Sequence, residues 1–311
     1  VAKTVALLGV PSSAGTHGPG QEKAPAALRA AGLVRRLESA GVTVVDHGDL
    51  PTAMFRTDPA RRTSQNLDGV VAVTRAVADR LGALLDDAAL PVIIGGDCTV
   101  TLGAMAAMVG RWPDAGLLYF DGDLDLSTPH TTQSGVLDTM VLTHALGDGA
   151  DELRSIGPRT PLVTPERLVA FGHEPRELDE SGRKRLAAYG FRTYPCTEVG
   201  TDHDTAAASA AAAWRELRRA AGQILLHFDI DVIDSTELPL ANFPHFNEGL
   251  PESIALRCLA EFAAAPGLAA LVVTEINPDR DPDGTLLDRL VDGLVAALSG
   301  GYREPDRRPS R

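Results

Sequence analysis

Apolar residues gather along this chain in short runs: 4–10 (TVALLGV), 42–48 (VTVVDHG), 91–97 (PVIIGGD), 116–123 (GLLYFDGD), 167–173 (RLVAFGH), 223–231 (QILLHFDID) and 268–278 (LAALVVTEINP). Runs of this length predict strands buried on both faces, as in a parallel sheet. Between them apolar positions fall at helical spacing over residues 70–85, 207–220, 252–264 and 286–298. Strand and helix in alternation predict βαβ units and one sheet with helices on both faces. Segment 172–185 (GHEPRELDESGRKR) carries Gly and Pro without a sustained apolar period and reads as a surface loop. No repeat or long linker divides the chain, so residues 1–311 read as one domain, closed by a polar tail at about 303–311.

Composition narrows the function. With 29 Lys and Arg against 42 Asp and Glu, the net charge of −13 disfavours phosphate backbones and anionic lipid surfaces, so neither nucleic acid nor a membrane is an expected partner. No apolar stretch has the length of a membrane span, and the N-terminal residues lack the pattern of a secretory signal. The three cysteines, Cys98, Cys196 and Cys258, form no CxxC pair, which argues against a disulfide framework or a zinc ribbon. A reducing, cytoplasmic setting is the expectation.

The chemistry lies just past the apolar runs. Four of them lead into acids: Asp97, Asp121, Asp229 and Glu275. Ligands of open parallel sheets bind beyond the carboxyl ends of the strands, so these ends predict one acidic basin. Asp121, Asp123 and Asp125 are spaced i, i+2, i+4, and Asp229 and Asp231 i, i+2, which in extended backbone projects each set to one side. A single DxD is ordinarily a turn or a helix cap. Two such sets, each behind a buried strand, crowd five carboxylates together and point to divalent cations that neutralise them.

The segments VIIGGDC, FDGDLDLSTPHTTQSGVLD, FDIDVID and VVTEINP, with the N-terminal GVPSSAGTHGPGQEKAPAALRAAGL, resemble in order the signature segments of the ureohydrolases, the family of arginase, agmatinase and formiminoglutamase. The resemblance covers nearly the whole chain and implies a three-layer α/β/α fold with a mostly parallel sheet. It also implies a cluster of two manganese ions, with zinc or iron as alternatives, and a homo-oligomer, trimeric or hexameric. By position, Asp121, Asp125, Asp229 and Asp231 match four carboxylate ligands, with Asp121 and Asp229 at the bridging places. The family's histidines are replaced: GGDH reads GGDC, which puts Cys98 at one ligand, and DxHxD reads DGDLD, which puts Asp123 at the other. A third histidine, used for proton transfer, is matched by Asp138. The ligand set becomes more anionic, which lowers the Lewis acidity of the ions.

For the substrate, the resemblance assigns Glu275 to a guanidinium group, which a carboxylate fork binds through two hydrogen bonds. Thr132 and Ser134 match donors to an amino-acid carboxylate, and Glu177 aligns with the segment facing an α-amino group; turn chemistry is the ordinary alternative for Thr132 and Ser134. Ser127 and Val136 stand where asparagines would be expected, which favours a modified arginine over arginine. His130, His227 and His245 are extra histidines, ordinarily structural, of which His130 and His245 fall in loops that could bring an imidazole to the site. The leading reading is metal-dependent hydrolysis of a C–N bond in a guanidino or amidino compound. The alternatives are a non-catalytic descendant and amide hydrolysis on the same fold, as in histone deacetylases.

Overall fold

The structure, a computed structural model, describes residues 3–301. The polar tail expected at 303–311 lies outside the described residues. Eight strands form one sheet: β1 (Thr4–Gly9), β2 (Thr43–Asp49), β3 (Leu90–Ile94), β4 (Gly116–Phe120), β5 (Leu168–Phe171), β6 (Arg192–Tyr194), β7 (Ile224–Asp229) and β8 (Leu268–Thr274). The spatial order is β2-β1-β3-β8-β7-β4-β5-β6, and every pairing is parallel.

Alternate residues of the strands feed two cores. Val5, Leu7, Leu118, Phe120, Leu226 and Phe228 face one side, under helices Ala24–Ala30, Leu33–Ser39, His203–Leu217, Glu252–Ala264 and Thr285–Ser299. Leu8, Ile93, Leu117, Tyr119 and Leu225 face the other, under helices Leu67–Leu84 and Val100–Arg111. This is the expected α/β architecture of three layers, with the central strands buried on both faces. Among the described residues, no helix is long and apolar enough to cross a membrane.

Three local expectations need correction. β2, predicted to be buried on both faces, is an edge strand paired only with β1 and is largely exposed, Val45 among its residues. β6 carries no apolar run in the sequence because it is an edge strand of three residues with Arg192 exposed, too short and too polar to register as one. The segment read as a loop is helical from Glu180 to Tyr189. Its start is set by a cap rather than by an apolar face: the Asp179 carboxylate accepts the Gly182 N–H at 2.6 Å. Gly190, at φ 71°, ends it in the left-handed region.

An aromatic cluster fastens the first helical layer to the strands that carry the acids. Phe262 lies edge-on to Phe120 and Phe171, with centroids 5.7 and 5.1 Å away, and is fully buried. Phe262→Ala is expected to destabilise the protein by about 3–5 kcal/mol through lost burial and a residual cavity, read as a lower denaturant midpoint with an unchanged slope.

Candidate metal centre

The four strands whose runs end in acids are neighbours in the sheet, in the order β3-β8-β7-β4. Their carboxyl ends therefore open on the same place. β4 delivers Asp121 and the turn carrying Asp123 and Asp125, β7 delivers Asp229 and Asp231, β8 delivers Glu275, and the turn after β3 delivers Cys98. With Asp138, Thr139 and Phe243 they line a cavity of about 30 Å³. That is room for one or two water-sized occupants. A cleft of about 210 Å³ leads from its Asp123 and Asp125 edge past Ser127, Thr131, Thr139 and Glu177.

Asp97 stands apart from the rest. Its carboxylate accepts from the Ser12 hydroxyl (3.0 Å) and from the N–H groups of Gly15 (3.1 Å) and Thr99 (3.2 Å). It is a structural tie between the N-terminal loop and the turn after β3. Gly96 allows this approach, since a Cβ there would meet the Ser12 carbonyl oxygen at 1.5 Å.

The other acids face each other. The Cys98 thiol donates to Asp229 Oδ2 at 2.6 Å, and the Cys98 N–H donates to Asp138 Oδ1 at 2.7 Å. Asp231 receives the Gly122 N–H at 3.0 Å, Asp229 the Asp231 N–H at 2.8 Å, and Asp121 the Asp123 N–H at 2.7 Å. Tyr119 donates its hydroxyl to Asp125. Asp125 (φ 44°) and Glu275 (φ 65°) both sit in the left-handed region, strain that persists only where surrounding structure fixes it. The Gln21 amide donates to Glu275 Oε2, while Glu275 Oε1 is buried and without a hydrogen-bond partner.

Burial, then the neighbouring carboxylates, raises Asp121, Asp125, Asp229 and Glu275 well above the ordinary carboxylate range. Asp138 is pushed up to about 8, chiefly by burial and the charge of Asp97. Cys98 is raised by burial and by Asp229, so without a cation it stays a thiol. Among the described residues, the basic side chains nearest Asp121, Asp123 and Asp231 are histidines, not Lys or Arg.

Two histidines stand at the cluster. His227, fully buried on β7, stacks on Tyr119 with centroids 4.2 Å apart. Its Nδ1 lies 2.7 Å from the Thr101 hydroxyl and its Nε2 3.1 Å from Asp121 Oδ2. Burial lowers its pKa to about 3, so it is neutral. His245 comes from the loop after β7 and sets Nε2 at 3.5 Å from Asp123 Oδ2 and 3.7 Å from Asp231 Oδ2. Burial alone would lower its pKa, but Asp123 and Asp231 together raise it to about 11. Four overlapping groups of potential ligand atoms result among the described residues: Cys98, Asp121, His227 and Asp229; Cys98, Asp138 and Glu275; Asp123, Asp231 and His245; and, at the rim, Glu177, His245 and Glu248.

The remaining residues singled out in the sequence fall farther out. His130 is exposed and lines a separate, larger cleft with Arg61 and Arg185, so the loop imidazole that reaches the carboxylates is His245. Thr132 Oγ1 and Ser134 Oγ accept the N–H groups of Gly135 (2.9 Å) and Val136 (3.2 Å), which is turn chemistry. Glu177 stands at the rim, 3.8 Å from His245 Nδ1. Gln21, Tyr119 and Thr274, whose hydroxyl lies 3.4 Å from the Cys98 sulfur, join the site without any signal in the sequence. Gln21 meets Glu275 across 254 positions of sequence, a pairing that no local pattern marks.

Comparison with known proteins agrees with this geometry. The arginase family model matches residues 3–298. An arginase of Brevibacillus brevis is 27% identical over 303 residues, covering 96% of this chain and 98% of its own. The crystal structure of arginase from Bacillus subtilis is similar with a TM-score of 0.83 at 25% identity, covering 95% of this chain and 98% of that one. Trypanosoma cruzi formiminoglutamase, crystallised with Mn²⁺, shares the fold with a TM-score of 0.73 at 18% identity, over 95% of this chain and 92% of that one. With its sheet order, its acids at the strand ends and a family match over nearly its whole length, the chain belongs to the arginase family.

Proposed function

We propose that the protein is a metal-dependent hydrolase that cleaves a C–N bond of a guanidino or amidino compound, a modified arginine rather than arginine itself, with two divalent ions, Mn²⁺ first among candidates. One observation carries the substrate class: Glu275 holds a buried, unpartnered carboxylate oxygen beside the acid cluster. A buried acceptor without a donor is costly, and a planar cation bearing N–H groups satisfies it. The donor chemistry fits divalent ions, because clustered carboxylates and a thiol line a cavity of ionic size with no Lys or Arg among its lining residues, and two imidazoles stand against those carboxylates.

Divalent ions, when bound, supply Lewis acidity and lower the pKa of water toward neutrality. The protein's residues do the rest. Gln21 fixes Oε2 of Glu275 and so aims Oε1 at the substrate. Asp138, held by the Cys98 N–H and titrating near 8, is poised to take a proton and return it to the departing amine. Hydrolysis then adds the elements of water across the broken bond and yields an amine and a urea-like product. Thr132, Ser134, Glu177 and His130, outside the cavity, are proposed contacts for the rest of the substrate.

The test is a panel of guanidino and amidino compounds, including N-hydroxylated arginine, scored for urea or hydroxyurea release by Mn²⁺-loaded protein. Release from a modified arginine is expected, and Glu275→Gln should lower kcat/KM by about 10²–10³-fold. Metal-loaded protein that releases nothing from any compound would overturn the assignment.

The raised acids predict a pH dependence. Asp138 titrates at about 8 in the folded protein against 3.8 ordinarily. The unfolded chain loses that proton first, so the contribution is full below about pH 4 and is lost as pH rises to about 8. His245, raised from 6.5 to about 11, acts in the same direction above 6.5. His227, lowered to about 3, opposes both below 6.5, which leaves pH 6.5–8 as the clean window. Chelator-treated protein is expected to lose unfolding free energy across that window at about 1.4 kcal/mol per pH unit per proton, seen as a falling melting temperature, and Mn²⁺ to flatten the slope. Equal slopes with and without Mn²⁺ would contradict it.

A further inference from the structure

The segment 121–125 reads DGDLD and offers only carboxylates, where the ureohydrolase resemblance would place a ligand histidine. An imidazole nevertheless stands beside two of the carboxylates that line the cavity. His245 is 5% exposed, and its Nε2 is buried without a hydrogen-bond partner. That atom faces Asp123 Oδ2 at 3.5 Å and Asp231 Oδ2 at 3.7 Å. These separations are long for hydrogen bonds. They fit two ligands of one ion: with metal–ligand bonds of about 2.1 Å, neighbouring donor atoms lie roughly 3.0–3.4 Å apart.

The loop that supplies the ring is tied down on three sides. The His245 N–H donates to Ser235 Oγ at 3.1 Å, and the Ser235 N–H donates to the His245 carbonyl at 2.9 Å. Asn277 donates to the Asn242 side chain at 2.6 Å, and Phe243 packs on His17 with ring centroids 4.3 Å apart. The ring rests on Gly122, where a Cβ would come within 3.1 Å of His245 Cδ2 and 3.0 Å of Asp231 Oδ1. The turn that lost the histidine thus keeps a residue without a side chain where the arriving imidazole needs the space. Nδ1, on the far side of the ring, faces Glu177 Oε1 at 3.8 Å, the kind of carboxylate that holds a ligating histidine in one tautomer.

His227 contrasts with this. Both of its ring nitrogens are engaged, with the Thr101 hydroxyl and with Asp121, so it serves to position Asp121.

We propose that His245 is an imidazole ligand of one divalent ion, binding through Nε2 together with Asp123 and Asp231, and that the 241–249 loop thereby restores the donor that the DGDLD segment lacks. This role rests on the metal-dependent reading of the site and gives one of its two ions a donor set of two carboxylates and a histidine.

The test counts ions on the full chain. Chelator-treated protein is titrated with MnCl₂ by calorimetry, and retained manganese is measured by elemental analysis after desalting. The parent is expected to bind two ions per chain. His245→Ala is expected to keep one and to bind the second at least about tenfold more weakly. Should the alanine variant not fold, His245→Gln, which keeps volume and polarity but removes the imidazole, is read the same way. A ¹⁵N-histidine spectrum of the unaltered protein with Zn²⁺ gives a readout without any variant: the Nε2 resonance of His245 shifts on metal binding. Two ions bound at parental affinity by the variants, or a resonance that does not move while Zn²⁺ binds, would overturn the assignment and leave the metal-dependent reading intact. A parent that binds no ion would remove both.

Discussion

Seven carboxyl groups line one cavity of about 30 Å³, and their mutual repulsion is the constraint on which the site depends. Two unit charges 4 Å apart repel by about 4 kcal/mol at an effective dielectric constant near 20. A few such pairs match the whole stability of a domain, about 5–15 kcal/mol. There are two ways out. Protons neutralise the acids, which is what the raised titration of Asp121, Asp125, Asp138, Asp229 and Glu275 expresses, or divalent cations do. Only the second leaves the oxygens as ligands. Asp97 shows what an acid with a purely structural role looks like in the same fold, since hydroxyl and N–H donors already surround its carboxylate.

The architecture concentrates the problem at one point. In a parallel sheet every strand ends on the same side, and the order β3-β8-β7-β4 sets four acid-bearing ends side by side. The aromatic cluster of Phe120, Phe171, Phe228 and Phe262 then holds β4, β5 and β7 rigid beneath them. Left-handed backbone at Asp125 and Glu275 shows that the surrounding packing dictates where these two carboxylates point.

Much of this is legible in the sequence because it is local. Every acid of the cluster except Asp138 lies at or within a few residues of the end of a buried strand, so periodicity finds the strand and the strand places the acid. The sheet order is not local, but convergence of the acids follows from parallel strands whatever their order. The rest depends on contacts between distant segments. Gln21 reads as an ordinary helix-start residue until the fold lays it against Glu275. His227 sits inside an apolar strand and looks structural, which its bonded nitrogens bear out, yet its Nε2 touches Asp121. His130 and His245 are equally plausible as loop histidines; only the Ser235 and Asn242 ties show which loop turns inward. The Glu180–Tyr189 helix is hidden because a cap and exposed polar residues define it, not an apolar stripe.

The histidine changes look like loss when segments are compared position by position, and like rearrangement when atoms are compared in space. A ligand set is defined by donor type and by where donor atoms meet, not by which stretch of backbone supplies them. On the proposed ligand set, an imidazole supplied by a loop rather than a strand-end turn takes a position that depends on the order of residues 241–249. In this fold that order is secured by protein contacts, through Ser235 just beyond β7 and Asn277 just beyond β8. Both ties start just beyond strands whose ends carry acids of the cluster. Folding the sheet therefore brings the loop, the imidazole and the carboxylates together, and on the proposed ligand set the free energy of ion binding would be shared by that loop.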